Sequence, residues 1–404
     1  MLSDNSLEKL MQPVIERQEK INNYVIGMIA KRIKEIGELK SSDVYKLTRL
    51  FQSGNDIRKI NKELARLTGL QEKDIKHIIQ VCAEEAYIDA KPFFDMNEQT
   101  FIPLAKNVAL NRIIRAVQRQ TINEYRNLSK AQAFMIRDLK NPKVLKPTSI
   151  AKTYQSVVDE AVQSVQSGTI DYNTAMRRTL RQLNDSGIRF VEYNTEGGRT
   201  YTQRLDTAIR RNILDGVRAI NQGVQDEVGK EFGSTGKEIS VHLYPAPDHE
   251  PVQGHQFTNE EYEKLQNNQP FQDINGVKFE AIARPIGVLN CRHFTWSIMA
   301  GITKPNYTQH ELDKIIERNH KGYTDSKGKH YTMYECTQEQ RRLETMVRRM
   351  KDGQIAAKAA GDITLAKEYQ AKISKYTKQY ESFSNACGLQ QHKSKMRVSE
   401  YKRV

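Results

Sequence analysis

Two short segments of the chain carry most of the residues that could bind a metal ion or attack a substrate. Segment 242–257 reads HLYPAPDHEPVQGHQF, and segment 287–296 reads GVLNCRHFTW. Together they hold four of the nine histidines, one of the four cysteines and the single tryptophan. Cysteine and histidine are the standard zinc ligands, and the same pair can form an activated nucleophile. The pattern therefore raises three hypotheses: a metal site, a catalytic site, or polar residues that only stabilise the fold.

The metal hypothesis rests on Cys291 and His293, which flank a single residue. On a strand, positions i and i+2 project to the same face, so both side chains could reach one ion. The ligands that would complete a tetrahedral set are His242, Asp248, His249 or His255. C-x-H is not a C-x2-C zinc motif, and no second cysteine lies nearby. We therefore expect no bound metal or other cofactor, and the zinc candidates are His242, His249, Cys291 and His293.

The catalytic hypothesis has two forms. Cys291 with a histidine could act as a nucleophile pair, and Asp248-His249 with Asn290 and His293 could mimic a metal-dependent nuclease. The region 238–335, which contains both segments, lacks an acid cluster spaced for two metals, a nucleophile elbow and a glycine-rich phosphate-binding loop. GSTGKE at 233–238 does not have the spacing of a phosphate-binding loop. The sequence predicts a protein that is not an enzyme and assigns no catalytic residue.

The hydrophobic periodicity around these segments predicts a mainly α protein with a small α+β module. Its N-terminal part is expected to be elongated and to contain several helices. Four consecutive regions are expected. They are a helical region over 1–147, a helical region over 148–237 with a β-hairpin near 188–202, a loop-rich histidine module over 238–335, and a terminal helical hairpin with a basic tail over 336–404.

Several helix boundaries follow from local signals. A helix within 5–95 should close at Gly69, and a helical pattern covers 104–137. The terminal hairpin should pair helices over 337–352 and 362–384, with Asp362 capping the second. Its expected apolar stripe on that second helix is Ile363, Ala366, Tyr369, Ile373, Tyr376, Tyr380 and Phe383.

Charge is concentrated in one stretch of a basic chain. The protein has 63 Lys+Arg against 49 Asp+Glu, a net charge of +14. Residues 106–152 alone carry eleven Lys/Arg against two acids. Arg112, Arg119 and Arg126 recur every seven residues, and Arg115 lies one turn from Arg112, so one helix would present all four as a stripe. We predict an anionic partner for this stripe, with double-stranded DNA preferred over an acidic protein face; a merely solvated face is the alternative.

The compartment is predicted from what the sequence lacks. The sequence has no run of eighteen apolar residues, so we expect no membrane span. The opening residues also lack the apolar core of a signal peptide. Four scattered cysteines are typical of a reducing compartment. We expect a product made inside a cell, with no membrane partner.

The second half of the chain carries the marks of a known family. They are DYNTAMRRTLRQLNDSGIRFVEYNTEGGRTYTQRLDTAIRRNILDGV at 171–217, HLYPAPDHEPVQGHQF at 242–257, RPIGVLNCRHFTWSIMAGITKPNYTQHEL at 284–312 and YECTQEQRRLETMVRRMK at 334–351. In this combination and order the chain resembles phage minor capsid proteins of the minor capsid protein 2 type, related to the Mu F-like head morphogenesis proteins. The resemblance covers about 150–400.

The resemblance implies a virion component of the phage head, assembled in the host cytoplasm. Its implied partners are the portal protein, other capsid proteins and packaged double-stranded DNA, with an oligomer at the portal vertex as one arrangement. It transfers no catalytic residue. A DNA-binding metal-dependent nuclease and a cytoplasmic scaffold absent from the mature virion remain the two alternatives, and ejection with the genome stays open.

Overall fold

The computed structural model of the protein describes residues 4–37, 42–96, 100–137, 144–166, 172–193, 200–287, 291, 293–398 and 400–404. Helices dominate these ranges, as the sequence predicted. They are α1 (Asp4–Gly37), α2 (Ser42–Asp89), α3 (Lys91–Met96), α4 (Val108–Lys130), α5 (Ile150–Gln166), α6 (Tyr172–Ser186), α7 (Leu205–Glu231), α8 (Asn259–Gln266), α9 (Gln309–Lys321), α10 (Met333–Ala359) and α11 (Ile363–Ala386). None of the helices in these ranges has the length and apolar character that crossing a membrane requires.

The strands are short and form small sheets. They are β1 (Gln132–Arg137), β2 (Leu145–Ser149), β3 (Arg189–Tyr193), β4 (Thr200–Arg204), β5 (Gly236–Ile239), β6 (Gln256–Thr258), β7 (Phe271–Gln272), β8 (Lys278–Phe279), β9 (Thr295–Ile298), β10 (Tyr323–Thr324) and β11 (His330–Tyr331). One sheet has the order β2-β1-β3-β4, a second has the order β6-β5-β9, and β7–β8 and β10–β11 are separate pairs.

Gly69 does not end a helix, contrary to the sequence prediction. α2 continues through Gly69 to Asp89, and a Cβ at Gly69 would meet nothing within 4 Å. A glycine inside a helix costs only about 1 kcal/mol relative to alanine. Burial of Ile75, Ile78 and Ile79 on the following turns stabilises the helix by more than that.

The predicted β-hairpin is confirmed, whereas the predicted helix over 104–137 is too long. β3 and β4 pair antiparallel, with Tyr193 opposite Thr200. α4 ends at Lys130, and residues 132–137 form β1, which pairs with β2 and β3. Phe134 is fully buried in this strand. A short apolar run such as AFMI does not distinguish a helix from a strand by its periodicity.

The chain folds into two compact units, each built from three separate segments. Unit 1 contains residues 1–11, 74–124 and 210–339, and unit 2 contains residues 12–73, 125–209 and 340–404. The sheet β6-β5-β9 belongs to unit 1, and the sheet β2-β1-β3-β4 belongs to unit 2. The four consecutive regions expected from the sequence describe order along the chain and stay a prediction.

The core of unit 1 has an aromatic centre beside β5 and a tight helix pair. The buried apolar cluster beside β5 contains Ile239, Val252, Phe257, Leu265, Phe271, Ile282, Ile286 and Cys291.

α7 lies close to α4 because glycines face that helix. A Cβ at Gly216 would fall 2.4 Å from Oγ1 of Thr121, and a Cβ at Gly223 would fall 2.7 Å from Cγ2 of Ile113. The seven-residue spacing of the two glycines therefore permits the close approach.

The terminal hairpin of unit 2 confirms one predicted cap and corrects one boundary. The Asp362 carboxylate accepts a hydrogen bond from the backbone N–H of Leu365 at 2.9 Å, as an N-cap does. α10 continues through Gly353 to Ala359, so Gly353 does not mark the connection. It serves packing instead, since a Cβ there would lie 2.5 Å from the Tyr369 ring. Ile363, predicted in the buried stripe, is 54% exposed at the first turn of α11.

Candidate functional site

The topology of the β6-β5-β9 sheet brings the two histidine-containing segments together. β5 is the central strand and is antiparallel to both neighbours, with Ile239 opposite Thr295. The loop 240–255 leaves β5 and returns into β6, so both of its ends lie at one end of the sheet. The residues that precede β9 arrive at the same end, where the backbone N–H of Ser240 donates to the carbonyl of Phe294 at 2.9 Å.

Cys291 and His293 lie before β9 rather than on a strand. The strand-face argument for their pairing was therefore wrong in its geometry. The two side chains nevertheless meet, with Sγ of Cys291 3.3 Å from Nδ1 of His293. The backbone N–H of His293 also donates to this sulfur at 3.4 Å. The contact therefore does not depend on a strand.

His249 is the third member of the cluster. One ligand atom from each of His249, Cys291 and His293 lies within 4.8 Å of the other two. Their relative exposures are only 1%, 5% and 2%. The ring of His242 packs edge-on against His293 with centroids 4.4 Å apart, so His242 borders the cluster, although it is not one of the three residues whose ligand atoms all lie within 4.8 Å of one another.

Carbonyl oxygens lie within hydrogen-bond distance of Nε2 in the rings of His249 and His293. Nε2 of His249 lies 2.9 Å from the carbonyl oxygen of Arg284. Nε2 of His293 lies 3.3 Å from Oε1 of Gln253, and the same oxygen accepts the backbone N–H of His242 at 2.9 Å. An oxygen beside one imidazole nitrogen favours a proton there. The lone pair of the other nitrogen of His293 then faces the sulfur of Cys291.

Burial and mutual contact shift the pKa values within the cluster. Burial, with the charges of His242 and His249, lowers the pKa of His293 to about 2, which keeps its ring neutral. Burial acts to raise the pKa of the Cys291 thiol, but hydrogen bonds from His249 and from backbone N–H groups bring it below its ordinary value. Burial also acts to lower the pKa of His249, whereas contact with Cys291 and the other surrounding groups leaves it raised. A neutral imidazole therefore lies beside an acidified thiol.

The remaining residues of the metal and nuclease hypotheses are engaged elsewhere. Arg284 binds the Asp248 carboxylate through two hydrogen bonds, one of them from Nε at 2.7 Å. His255 lies 2.9 Å from the carboxylate of Asp273 through Nδ1. Asn290 lies outside the described residues. Across the ranges that the structure describes, His249, Cys291 and His293 form the one group of three or more metal-binding side chains.

The predicted arginine stripe lies on α4. Arg112, Arg115, Arg119 and Arg126 are all exposed. Arg126 binds Glu72 through two hydrogen bonds of 2.8 and 2.7 Å, so its charge is already paired. The other three form no salt bridge with any residue in the described ranges. The stripe thus offers three unpaired guanidinium groups rather than four.

The comparisons with known proteins concern nearly the whole chain. The profile of the family described as phage minor capsid protein 2 matches residues 2–385. The chain belongs to this family. No curated protein and no solved structure shows a significant match. A member of a minor capsid family is a structural component of the phage head, as the resemblance implied.

Sequence reasoning missed one basic feature of this minor capsid protein. A cavity of about 970 Å³ in unit 2 is lined by six arginines: Arg137, Arg177, Arg178, Arg181, Arg189 and Arg349. The run MRRTLR at 176–181 was the available signal. Several of these charges are paired, for example Arg177 with Asp362 at 2.6 Å and Arg181 with Glu368 at 3.2 Å. The cavity is therefore less positive than the number of arginines suggests.

Proposed function

We propose that this minor capsid protein acts at or near the portal of the phage head and that α4 contacts packaged double-stranded DNA there. The observation that carries the proposal is the exposure of Arg112, Arg115 and Arg119 on one helix without salt-bridge partners in the described ranges. Neighbouring capsid subunits and the portal protein are the proposed protein partners.

The spacing of the three arginines favours a partner over a solvated face. Arg112 and Arg115 are three residues apart, and Arg115 and Arg119 are four apart, so the charges are neighbours on the helix surface. Such like-charged pairs each destabilise a helix by about 0.2–0.5 kcal/mol. An anionic partner removes this repulsion, and a phosphate backbone supplies regularly spaced negative charge. Phosphate contacts carry no sequence information, so the binding is expected to be independent of sequence.

The test measures binding of random-sequence duplex DNA over a range of salt concentrations. Each phosphate contact contributes a slope of about 0.9 in a plot of log K against log salt. The variant R112Q/R115Q/R119Q should weaken binding to all sequences alike and flatten this slope by up to about three units. Arg126→Gln should have a smaller effect, because Glu72 already pairs its charge.

A charge-matched control comes from α11, where Lys367, Lys375 and Lys378 are exposed. The variant K367Q/K375Q/K378Q loses the same three charges and should keep the wild-type slope. An equal loss in both triple variants would show that net charge alone drives binding and would contradict a DNA-contacting helix. If the α4 variant binds DNA normally but does not join the portal in co-assembly, the stripe is a protein-docking face.

The place of the protein in the particle has its own test. Mass spectrometry of purified virions should find the chain in mature heads. Its presence in assembly intermediates together with its absence from mature virions would identify a scaffold and would overturn the proposal.

A further inference from the structure

Contrary to the expectation from the sequence, we propose that His249, Cys291 and His293 bind one zinc ion, with His242 as the fourth ligand. The ion would tie the loop 240–255 to the residues that precede β9, at the end of the sheet where both meet. Such a site is structural and independent of the contacts proposed for α4. It goes beyond the family assignment, which names no metal.

The distance between the Cys291 sulfur and the His293 ring matches that of two ligands of one tetrahedral ion, and His249 lies close enough to join them. Zinc–sulfur bonds of about 2.3 Å and zinc–nitrogen bonds of about 2.0–2.1 Å place neighbouring ligand atoms roughly 3.3–3.6 Å apart. Sγ of Cys291 and Nδ1 of His293 are separated by 3.3 Å. The ligand atom of His249 lies within 4.8 Å of both. A shift of about 1.5 Å or less in the His249 ring would close the remaining gap.

The surroundings of the cluster are those of metal ligands. Histidines that bind metals almost always donate their other ring N–H to a carbonyl, carboxylate or water oxygen. The Arg284 carbonyl occupies that position for His249, and the Gln253 side-chain oxygen occupies it for His293. The backbone N–H of His293 points at the sulfur and would stabilise a thiolate.

The chemistry of the ligands selects zinc among common ions. One thiolate with imidazole nitrogens suits zinc, whereas magnesium and calcium prefer oxygen ligands. Binding requires that the Cys291 thiol lose its proton to solvent, and the imidazoles bind as neutral rings. A cavity of about 700 Å³ reaches His293 and is also lined by Lys230 and Asn259, which are exposed. An ion can therefore approach the cluster from the surface.

The first test uses the full-length wild-type protein, expressed with zinc in the medium and desalted. Elemental analysis should find about one zinc per chain. After replacement of zinc by Co²⁺, a sulfur-to-cobalt charge-transfer band and intense tetrahedral ligand-field bands should appear. A well-folded protein with neither zinc nor the charge-transfer band would overturn the proposal.

Variants then assign the ligands. Cys291→Ser should abolish the charge-transfer band. His242→Ala should weaken zinc binding by more than about tenfold, because loss of an outer-shell partner alone costs about 10–100-fold. His320→Gln, a change at an exposed histidine of the same unit, should leave zinc content unchanged. Because Cys291→Ser could impair folding, a second variant replaces Cys82, Cys336 and Cys387 with serine.

In that triple variant Cys291 is the only cysteine, so the charge-transfer band must persist. Its loss from a folded triple variant, or its persistence in Cys291→Ser, would place the metal elsewhere and overturn the assignment. Unchanged zinc affinity in His242→Ala would overturn the role of His242 as fourth ligand.

Discussion

A buried charge cluster in unit 2 makes the stability of that unit depend on pH. Its members are Glu19, Arg204, Asp206, Arg348 and Asp352. Nε of Arg204 lies 3.3 Å from Asp206, and its Nη2 lies 3.5 Å from Asp352. Nη1 of Arg348 lies 3.9 Å from Asp206 and 4.0 Å from Glu19. Three carboxyl groups therefore share two guanidinium groups, and Oε2 of Glu19 is buried with no hydrogen-bond partner among the described residues.

Glu19, the carboxyl group of this cluster with an unbonded oxygen, keeps its proton to a higher pH than an exposed glutamate does. Burial, reinforced by the charge of Asp352, raises the pKa of Glu19 from 4.5 to about 8. Burial likewise raises the pKa of Asp352 to about 6. A carboxyl group with a raised pKa in the folded state binds its proton more tightly there than in the unfolded chain. Its contribution to stability is full below pH 4.5 and is lost as the pH rises to about 8.

Replacing Glu19 with Gln should cancel most of this dependence. Each unit of pKa shift corresponds to about 1.4 kcal/mol. An isolated group with the Glu19 pKa would lose about 4 kcal/mol of unfolding free energy over the three units from pH 5 to pH 8. Because Glu19 and Asp352 titrate as a coupled pair, we discount this figure and expect the wild-type unit to lose about 2–3 kcal/mol. Glutamine keeps the shape of the protonated acid and has no proton to lose. Glu19→Gln should therefore match the wild type at pH 5 and exceed its stability by about 2 kcal/mol at pH 8.

The assay has to report on unit 2, and the single tryptophan, Trp296, lies in unit 1. Hydrogen exchange of peptides from α1 and α10, followed by mass spectrometry, avoids this problem. Comparing variant and wild type at the same pH removes the intrinsic pH dependence of exchange. Exchange in Glu19→Gln should be about thirtyfold slower than wild type at pH 8. Equal protection ratios at both pH values would refute the reasoning, and Lys20→Gln, at an exposed position of the same helix, controls for surface charge.

Two further predictions concern packing in unit 2. Ile373 is 5% exposed, so Ile373→Asp should detach or unfold the terminal hairpin at a cost of several kcal/mol, because the buried charge has no partner; unchanged protease resistance would contradict this. Gly353→Ala should destabilise the hairpin by about 1–2 kcal/mol, since its Cβ would overlap the Tyr369 ring. At Gly69 a Cβ would meet nothing within 4 Å, so Gly69→Ala should instead stabilise the protein by about 0.5–1 kcal/mol. Chemical denaturation monitored by circular dichroism measures the unfolding free energy of both glycine variants. Effects of the same sign would argue against the packing explanation.

Local periodicity predicted those elements whose stabilising contacts are close in sequence. β3 pairs with β4 in the predicted hairpin, and Asp362 caps α11 as predicted. β1 was missed because the apolar run AFMI fits a helix or a strand, and because its nearer partner β2 contains Pro147, which predicts a break. Its second partner, β3, begins more than fifty residues later, and strand pairing at that separation leaves no local mark in the sequence.

The same reason explains what could be predicted of the histidine cluster. Residue types identified His242, His249, Cys291 and His293 as candidates, since cysteine and histidine are the usual ligands. Their meeting depends on β5 lying between β6 and β9. Spacing along the chain contains no information about that order of strands, so the geometry had to come from the fold.

The exposed arginines of α4 can be replaced without disturbing the fold, because other residues of the helix make its buried contacts. The opposite face of α4 carries Leu110 and Ile114, with exposures of 0% and 2%. On the same helix Thr121 accepts a hydrogen bond at its carbonyl from the side chain of Asn212 at 2.9 Å. These contacts fix the rotation of α4 about its axis, and Gly216 permits the close packing. The arginines must therefore face outward whether or not a partner is present, and removing their charge changes binding while leaving the buried face intact.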